Sequence, residues 1–238
     1  MSIGNLVIVG TSGHGKVIAD IARLNGYEEI VFLDDDTLIH TCAGYPVIGK
    51  TDDYGKVQPD NFRNAKATEV VIAIGNSTIR ETIQRRFEQQ GFPIATLVHP
   101  QAVVAESAEL DAGTVVMDGA VVNPFARLGK GCIVNTCASV DHDCVVADYV
   151  HVAVGAHLCG TVSVGTHTWI GAGAVVSNNV SVCADCMIGA GAAVVKDVVE
   201  AGTYVGVPAG KITYSLKMSE IEEDIQNWEN LKKGHNAK

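Results

Sequence analysis

Aromatic residues make up only 5% of this 238-residue chain, and no run of 18 apolar residues occurs anywhere in it. The second absence leaves no candidate transmembrane helix. The N-terminus lacks a basic start followed by an apolar stretch, so no signal peptide is expected and the cytoplasm is the default compartment. Positive charge is also scarce: the formal net charge is −10, which argues against a groove for nucleic acid. Cysteine is not scarce, but its count of seven is odd, and the one pair with C-x-x-C spacing, Cys183-Ala-Asp-Cys186, reads better as packing residues of a reduced protein than as a zinc or redox site.

What the chain has instead is aliphatic content with a fixed period. Every sixth residue from Val104 to Val194 is Val, Leu or Ile, sixteen in all, and the register never slips. Two residues before each stands a small or β-branched residue, such as Ala120, Ala138 or Cys144. A period of six fits neither a helix nor a simple strand. It fits a parallel β-helix of hexapeptides, with one aliphatic side chain per face pointing to the axis and a small one at each corner. Three faces need about 18 residues per coil, so sixteen hexads give about five coils. An apolar core of Val, Ala and Gly also accounts for the shortage of aromatics.

The first hundred residues follow a different pattern. The run Leu6–Val9 reads as a buried strand that ends in Gly10-Thr11-Ser12-Gly13-His14-Gly15. An apolar-periodic stretch then predicts a helix closing at Asn25-Gly26. A glycine-rich turn between a strand and a helix start brings backbone N–H groups and the helix dipole to a phosphate, although a plain tight turn would look the same. Ile30–Leu33 predicts a second strand, ending at Asp34-Asp35-Asp36, where a carboxylate can accept from a ribose or a base or simply be solvated. Val70–Ile74 predicts another strand, ending at Gly75-Asn76, followed by a helix over 78–90 and a last strand over 92–98. Three such turns after three strands in β-α-β order point to a nucleotide crevice more strongly than any one of them.

His99-Pro100 marks the boundary between the two patterns. The expected organisation is a Rossmann-like parallel sheet over 1–99, a β-helix over 100–212 and a helical tail over 213–238. In the tail, Ser219 and Glu222 match a capping box, and Met218, Ile221, Ile225 and Trp228 form one apolar stripe. No long insertion interrupts the hexads, so the prism faces themselves must carry any chemistry.

One hexad stands apart: Val140-Asp141-His142-Asp143-Cys144. Val140 and Cys144 obey the repeat, which turns His142 and its two carboxylate neighbours outward. Such a histidine is either solvated or a proton acceptor. Gly160 follows His142 by eighteen residues and Asn178 follows Gly160 by eighteen, so the three share a column. The glycine leaves room above the imidazole. His151 lies half a coil from His142 and, in a threefold assembly, could face the His142 of a neighbouring subunit.

Taken together, Ser12-Gly13-His14, Asp34-Asp35, Ile74-Gly75-Asn76 and the Asp-His-Asp hexad resemble the nucleotide-activated amino-sugar N-acetyltransferases, the family that also holds the sialic-acid O-acetyltransferases. The resemblance covers about residues 3–211 and includes the Gly206-Val207-Pro208-Ala209 segment. It implies a left-handed β-helix, a homotrimer, acetyl-CoA as cosubstrate and no metal. It implies that His142 is the general base and that Asp143, where some members carry Glu, orients it. It further implies substrate contacts at Ser12, Gly13, His14, Asp34, Asp35 and Gly75, and acetyl-CoA contacts at His151, Gly160, Ala172 and Ala190. The expected reaction acetylates the 4-amino group of a nucleotide-linked, by preference UDP-linked, 4-amino-4,6-dideoxy sugar by direct transfer. Three alternatives stand beside it: O-acetylation of sialic acid or a related sugar, a zinc lyase using His142, His151, His157 and His167, and a non-catalytic sugar-nucleotide scaffold.

Overall fold

The computed structural model describes residues 4–63 and 67–212. The capping box and apolar stripe expected at 218–228 lie outside the described residues.

The N-terminal unit is a five-stranded sheet with helices on its flanks. Its elements are β1 (Asn5–Val9), α1 (Gly13–Asn25), β2 (Glu29–Leu33), β3 (Thr41–Cys42), β4 (Tyr45–Gly49), β5 (Thr68–Ile72) and α2 (Ser77–Gln89). The strand order is β3-β4-β2-β1-β5. β1 pairs in parallel with both β2 and β5, and β2 pairs in parallel with β4; only the edge strand β3 is antiparallel. β1 is apolar from Leu6 to Val9 because both of its faces are covered: Leu6 and Ile8 join one cluster with α1, Val7 and Val9 another with α2. α1 stops where expected, at Gly26, whose φ of 90° closes the helix in the left-handed region.

The segment expected as one strand over 92–98 is divided between two sheets. Pro93 lacks a donor, Ile94 makes an isolated parallel bridge to Val70, and only Leu97–Val98 (β6) is a strand. β6 pairs with Val115–Val116 on the prism, so Val98 is one further rung of the six-residue ladder.

From there the chain winds as a three-sided parallel β-helix, left-handed as the resemblance implies. Two-residue strands stack with their counterparts eighteen residues on: Val104 on Val122, Val122 on Val140, Val140 on Leu158, Leu158 on Val176. The three faces hold six, five and eight strands, the last including β6 and a terminal hairpin. The aliphatic ladder is the core: Val122, Val140, Leu158, Ile170, Val176 and Ile188 are fully buried. Each contributes about 1.5–3 kcal/mol by leaving water. The small corner residues Ala120, Ala126, Ala138, Cys144 and Ala156 are sealed as well.

A second column repeats at the corners. Every sixth residue from Gly113 to Gly191 has φ near +60° to +84°, fourteen positions in unbroken sequence. Six are glycine, but Phe125, Cys137, Asp143, Tyr149, Thr161, His167, Asn179 and Asp185 adopt the same left-handed turn. Stacking of the coils imposes a conformation that an isolated non-glycine residue disfavours by about 1–2 kcal/mol.

The face that carries β6 is the one the N-terminal unit covers. Val115, Met117 and Ile133 on that face pack into the same cluster as α1 and the β1–β2 core.

Candidate active site

The first group of expected site residues lies where β1, β2 and β5 finish. Gly10 has φ +108°, and a Cβ there would meet the Ala73 carbonyl at 2.9 Å. A Cβ on Gly15 would collide with the Gly10 carbonyl, so the turn closes only with glycine at both ends. Ser12 caps α1 in extended geometry without using its hydroxyl, and both Ser12 and Gly13 are exposed. His14, in the first turn of α1, points inward instead. Its Nε2 is sealed from solvent without a hydrogen-bond partner among the described residues. Burial, and then the Arg80 charge, push its pKa down to about 4.

The acidic pair after β2 divides its work. Asp34 Oδ2 accepts from the Thr11 N–H (2.8 Å) and hydroxyl (2.7 Å), and Oδ1 accepts from the Asp36 N–H (2.9 Å). Burial raises its carboxyl, but these hydrogen bonds outweigh it and hold the pKa below the ordinary carboxylate value. Asp34 thus braces the glycine-rich turn. Asp35 receives the Thr51 N–H at 3.0 Å and lines a cavity of about 450 Å³ with Lys50, Thr78 and Arg86. Gly75 lies at the end of the same sheet, and a Cβ on it would meet open space.

The prism end centres on His142. Its Nδ1 lies 2.8 Å from Asp143 Oδ2, so Nδ1–H donates and the Nε2 lone pair is left outward. The left-handed turn at Asp143 brings its carboxylate alongside the preceding ring. The Asp143 hydrogen bond first, and the Asp141 charge second, raise the imidazole pKa. Asp141 is itself anchored: its Oδ1 accepts from Asn123 Nδ2 (2.7 Å), one coil below, and from the His142 N–H (2.8 Å). That support was not foreseen, although the eighteen-residue column from Asn123 to Asp141 is legible in the sequence.

Gly160 occupies the position expected of it. A Cβ there would stand 2.5 Å from His142 Nε2 and 2.6 Å from Cε1. His142, Gly160 and Asn178 line one cavity of about 410 Å³ together with Asp141, Cys159, Thr161 and Asn179. Cys144, in the same hexad, is buried and donates to the Cys159 carbonyl (3.1 Å); burial pushes its thiol pKa up.

The other residues expected to contact acetyl-CoA lie elsewhere on the chain. Ala172 and Ala190 are exposed and stack at a different corner of the prism, where the Gly191 N–H donates to the Ala172 carbonyl (2.9 Å). His151 lies on the face covered by the N-terminal unit, with its ring 4.1 Å from the Trp169 ring. Asn135 Oδ1 accepts from the Thr136 N–H (2.8 Å), which turns Asn135 Nδ2 toward His151 Nε2 at 3.1 Å. His151 therefore accepts at Nε2 and carries its proton on Nδ1, which is buried without a partner among the described residues. Burial first, then Arg80 and His14, push its pKa down to about 3, so the ring is neutral. One chain alone does not bring His151 to His142. Nor do His142, His151, His157 and His167 converge: among the described residues no three metal-ligating side chains gather.

Residues 5–87 match the family described as the PglD N-terminal domain. Among solved structures, the acetyltransferase domain of PglB from Neisseria gonorrhoeae FA1090, in complex with acetyl coenzyme A, is 39% identical, with a TM-score of 0.82 over 87% of this chain and 98% of that one. PerB from Caulobacter crescentus, in complex with CoA and GDP-perosamine, is 34% identical, with a TM-score of 0.80 over 89% and 99%. A UDP-N-acetylbacillosamine N-acetyltransferase of Bacillus subtilis (strain 168) is 35% identical over 115 residues, 48% of this chain and 51% of its own length. The chain spans about half the length of the curated relatives it matches.

Proposed function

Since this chain belongs to the hexapeptide-repeat amino-sugar acetyltransferases, we propose that it transfers acetyl from acetyl-CoA to the 4-amino group of a nucleotide-linked 4-amino-4,6-dideoxy sugar. The observation that carries this reading is the His142 cradle. A carboxylate fixes Nδ1, the free Nε2 faces a cavity, and a side chain at Gly160 would fill the space above it. The nucleotide sugar is assigned to the ends of β1, β2 and β5, where Ser12, Gly13, His14, Asp35 and Gly75 follow the strands and Asp34 braces the first turn. The complexes of the relatives with acetyl coenzyme A and with GDP-perosamine support both ligand classes.

The chemistry follows from the nucleophile. A sugar amine near neutral pH is mostly ammonium and must lose a proton to attack. That first proton goes to solvent, and His142 Nε2 accepts a second one from the amine as its nitrogen bonds to the thioester carbonyl carbon. The tetrahedral intermediate collapses to the amide, and coenzyme A leaves as a thiolate that recovers the proton from the imidazolium. General-base assistance of this kind contributes about 10²–10⁴ in rate. Asp143 holds the tautomer and stabilises the imidazolium. The Gly160 N–H is the assigned oxyanion donor. Cys144 is sealed with a raised pKa and is a poor nucleophile, which supports direct transfer without an acyl-enzyme on that residue.

The site is completed by neighbouring copies. His142 is half-exposed at a prism corner, and Ala172 and Ala190, assigned to acetyl-CoA, lie at another corner. A homotrimer brings such corners together, and light scattering should then give about three times 25.0 kDa; an active monomer would refute the shared site. The reaction itself is tested by following coenzyme A release with UDP- and GDP-linked 4-amino sugars and free sialic acid in parallel. We expect an amide product, with the UDP-linked acceptor preferred. Release only with sialic acid would establish O-acetylation instead, and binding without release would leave a scaffold.

A further inference from the structure

Arg80, in the first turn of α2, is 1% exposed. Its four hydrogen bonds all go to main-chain carbonyls. Nη1 donates to Ile74 (2.8 Å) and Gly75 (2.9 Å), at the crevice end of β5. Nε donates to Gly131 (2.8 Å) and Nη2 to Tyr149 (2.8 Å), equivalent corners on successive coils of the prism. The Tyr149 ring lies beside the guanidinium, 6.0 Å from Cζ. Desolvating a guanidinium is costly, and an apolar side chain in its place would take from four main-chain carbonyls the donor that Arg80 gives them. A rigid fork that joins two units through four main-chain carbonyls holds something in place.

Its position says what. Gly75 belongs to the acceptor crevice, and Tyr149 stands two residues before His151 on the chain. We propose that Arg80 is a positioning residue for the acetyl transfer read above, on which this inference rests: one rigid planar fork fixes the nucleotide-sugar crevice relative to the prism strand that carries His151. The same fork adds its charge to the seam, where burial is the larger influence on both histidines. The charged or titratable groups acting on His14 and His151 are Arg80 and, for His151, His14 as well, and they act with burial to keep both rings neutral. Lysine, a point charge on a flexible stem, cannot hold four carbonyls in one plane.

The test compares wild type with Arg80→Lys and Arg80→Gln, with each folded fraction measured by thermal melting. Each half of the site survives alone, but their relation is lost. The folded variants should therefore keep KM for both substrates within about threefold while kcat falls about 100-fold, the scale of a 1 Å misalignment. Wild-type kcat per folded molecule, or higher KM values at unchanged kcat, would overturn the proposal. If neither variant folds, the wild type decides by nitrogen NMR. His151 should remain neutral with its proton on Nδ1, and His14 neutral, from pH 5 to 8, while the Arg80 Nε–H resists exchange. Titration of either ring between pH 6 and 7, or rapid Nε–H exchange, would refute the clamp. A wild type that acetylates no amino sugar would count against the proposed function; a wild type and variants that acetylate equally well would count against Arg80 alone.

Discussion

Gly160→Ala isolates the geometry around the proposed base. The added methyl would stand 2.5 Å from His142 Nε2, whereas ordinary contact begins near 3.4 Å. The imidazole must therefore retreat by roughly 1 Å or swing away from Asp143, and misplacement on that scale costs about 10²-fold in rate. The backbone at Gly160 is not in the left-handed region, and His142 is half-exposed, so the ring can move into solvent. Stability should accordingly change by less than about 1 kcal/mol. Coenzyme A release and thermal melting measured on the same preparation separate the two effects. We expect kcat/KM reduced about 100-fold, or about 2.7 kcal/mol of transition-state stabilisation, with an unchanged melting temperature. Wild-type turnover by Gly160→Ala would show that no reacting group occupies that column.

Further outcomes follow from other parts of the structure. Asp143 raises the His142 pKa, and the base works only when deprotonated, so activity rises with pH through that pKa. Asp143→Asn should move the acid limb of kcat/KM to lower pH, toward 6.5, and lower the plateau on the order of tenfold; an unmoved limb would contradict the pairing. Asp34→Asn replaces the charged acceptor of Thr11, and KM for the nucleotide sugar should rise about tenfold with kcat retained. Because the Asp34 pKa is lowered, its stabilisation of the turn is complete above the ordinary carboxylate value and fades only as pH falls through the lowered one. Leu158→Ala empties a fully buried position of the ladder and should cost about 2–5 kcal/mol in denaturant unfolding; a loss below about 1 kcal/mol would argue against a continuous core.

The aliphatic ladder was legible because one physical requirement recurs at every coil, so its signal accumulates over sixteen hexads. The same arithmetic placed Gly160 and Asn178 above His142, since stacking by eighteen residues is a property of the repeat. The left-handed corner column was harder to see. Gly, Asn and Asp mark many of its positions, but Phe125, Tyr149 and His167 occupy others, because stacking enforces there what sequence preference does not. The division of residues 92–98 between two sheets, the Asn135 hydrogen bond that sets the His151 tautomer, and the burial of His14 share another cause. They depend on how the sheet unit docks against one prism face, and no period within either unit encodes that contact. Arg80 shows the same limit: within α2 it reads as an ordinary exposed-type residue, and only Gly131 and Tyr149, distant in sequence, reveal its role.

The most direct test of the central claim is single-turnover acetyl transfer from acetyl-CoA to a nucleotide-linked 4-amino sugar by wild type and by His142→Ala. The account predicts that the variant still binds acetyl-CoA but loses about 10²–10⁴ in the transfer rate, with no acetylated protein trapped in either. A variant that transfers at the wild-type rate, or an acetyl-enzyme isolated before acceptor is added, would contradict it.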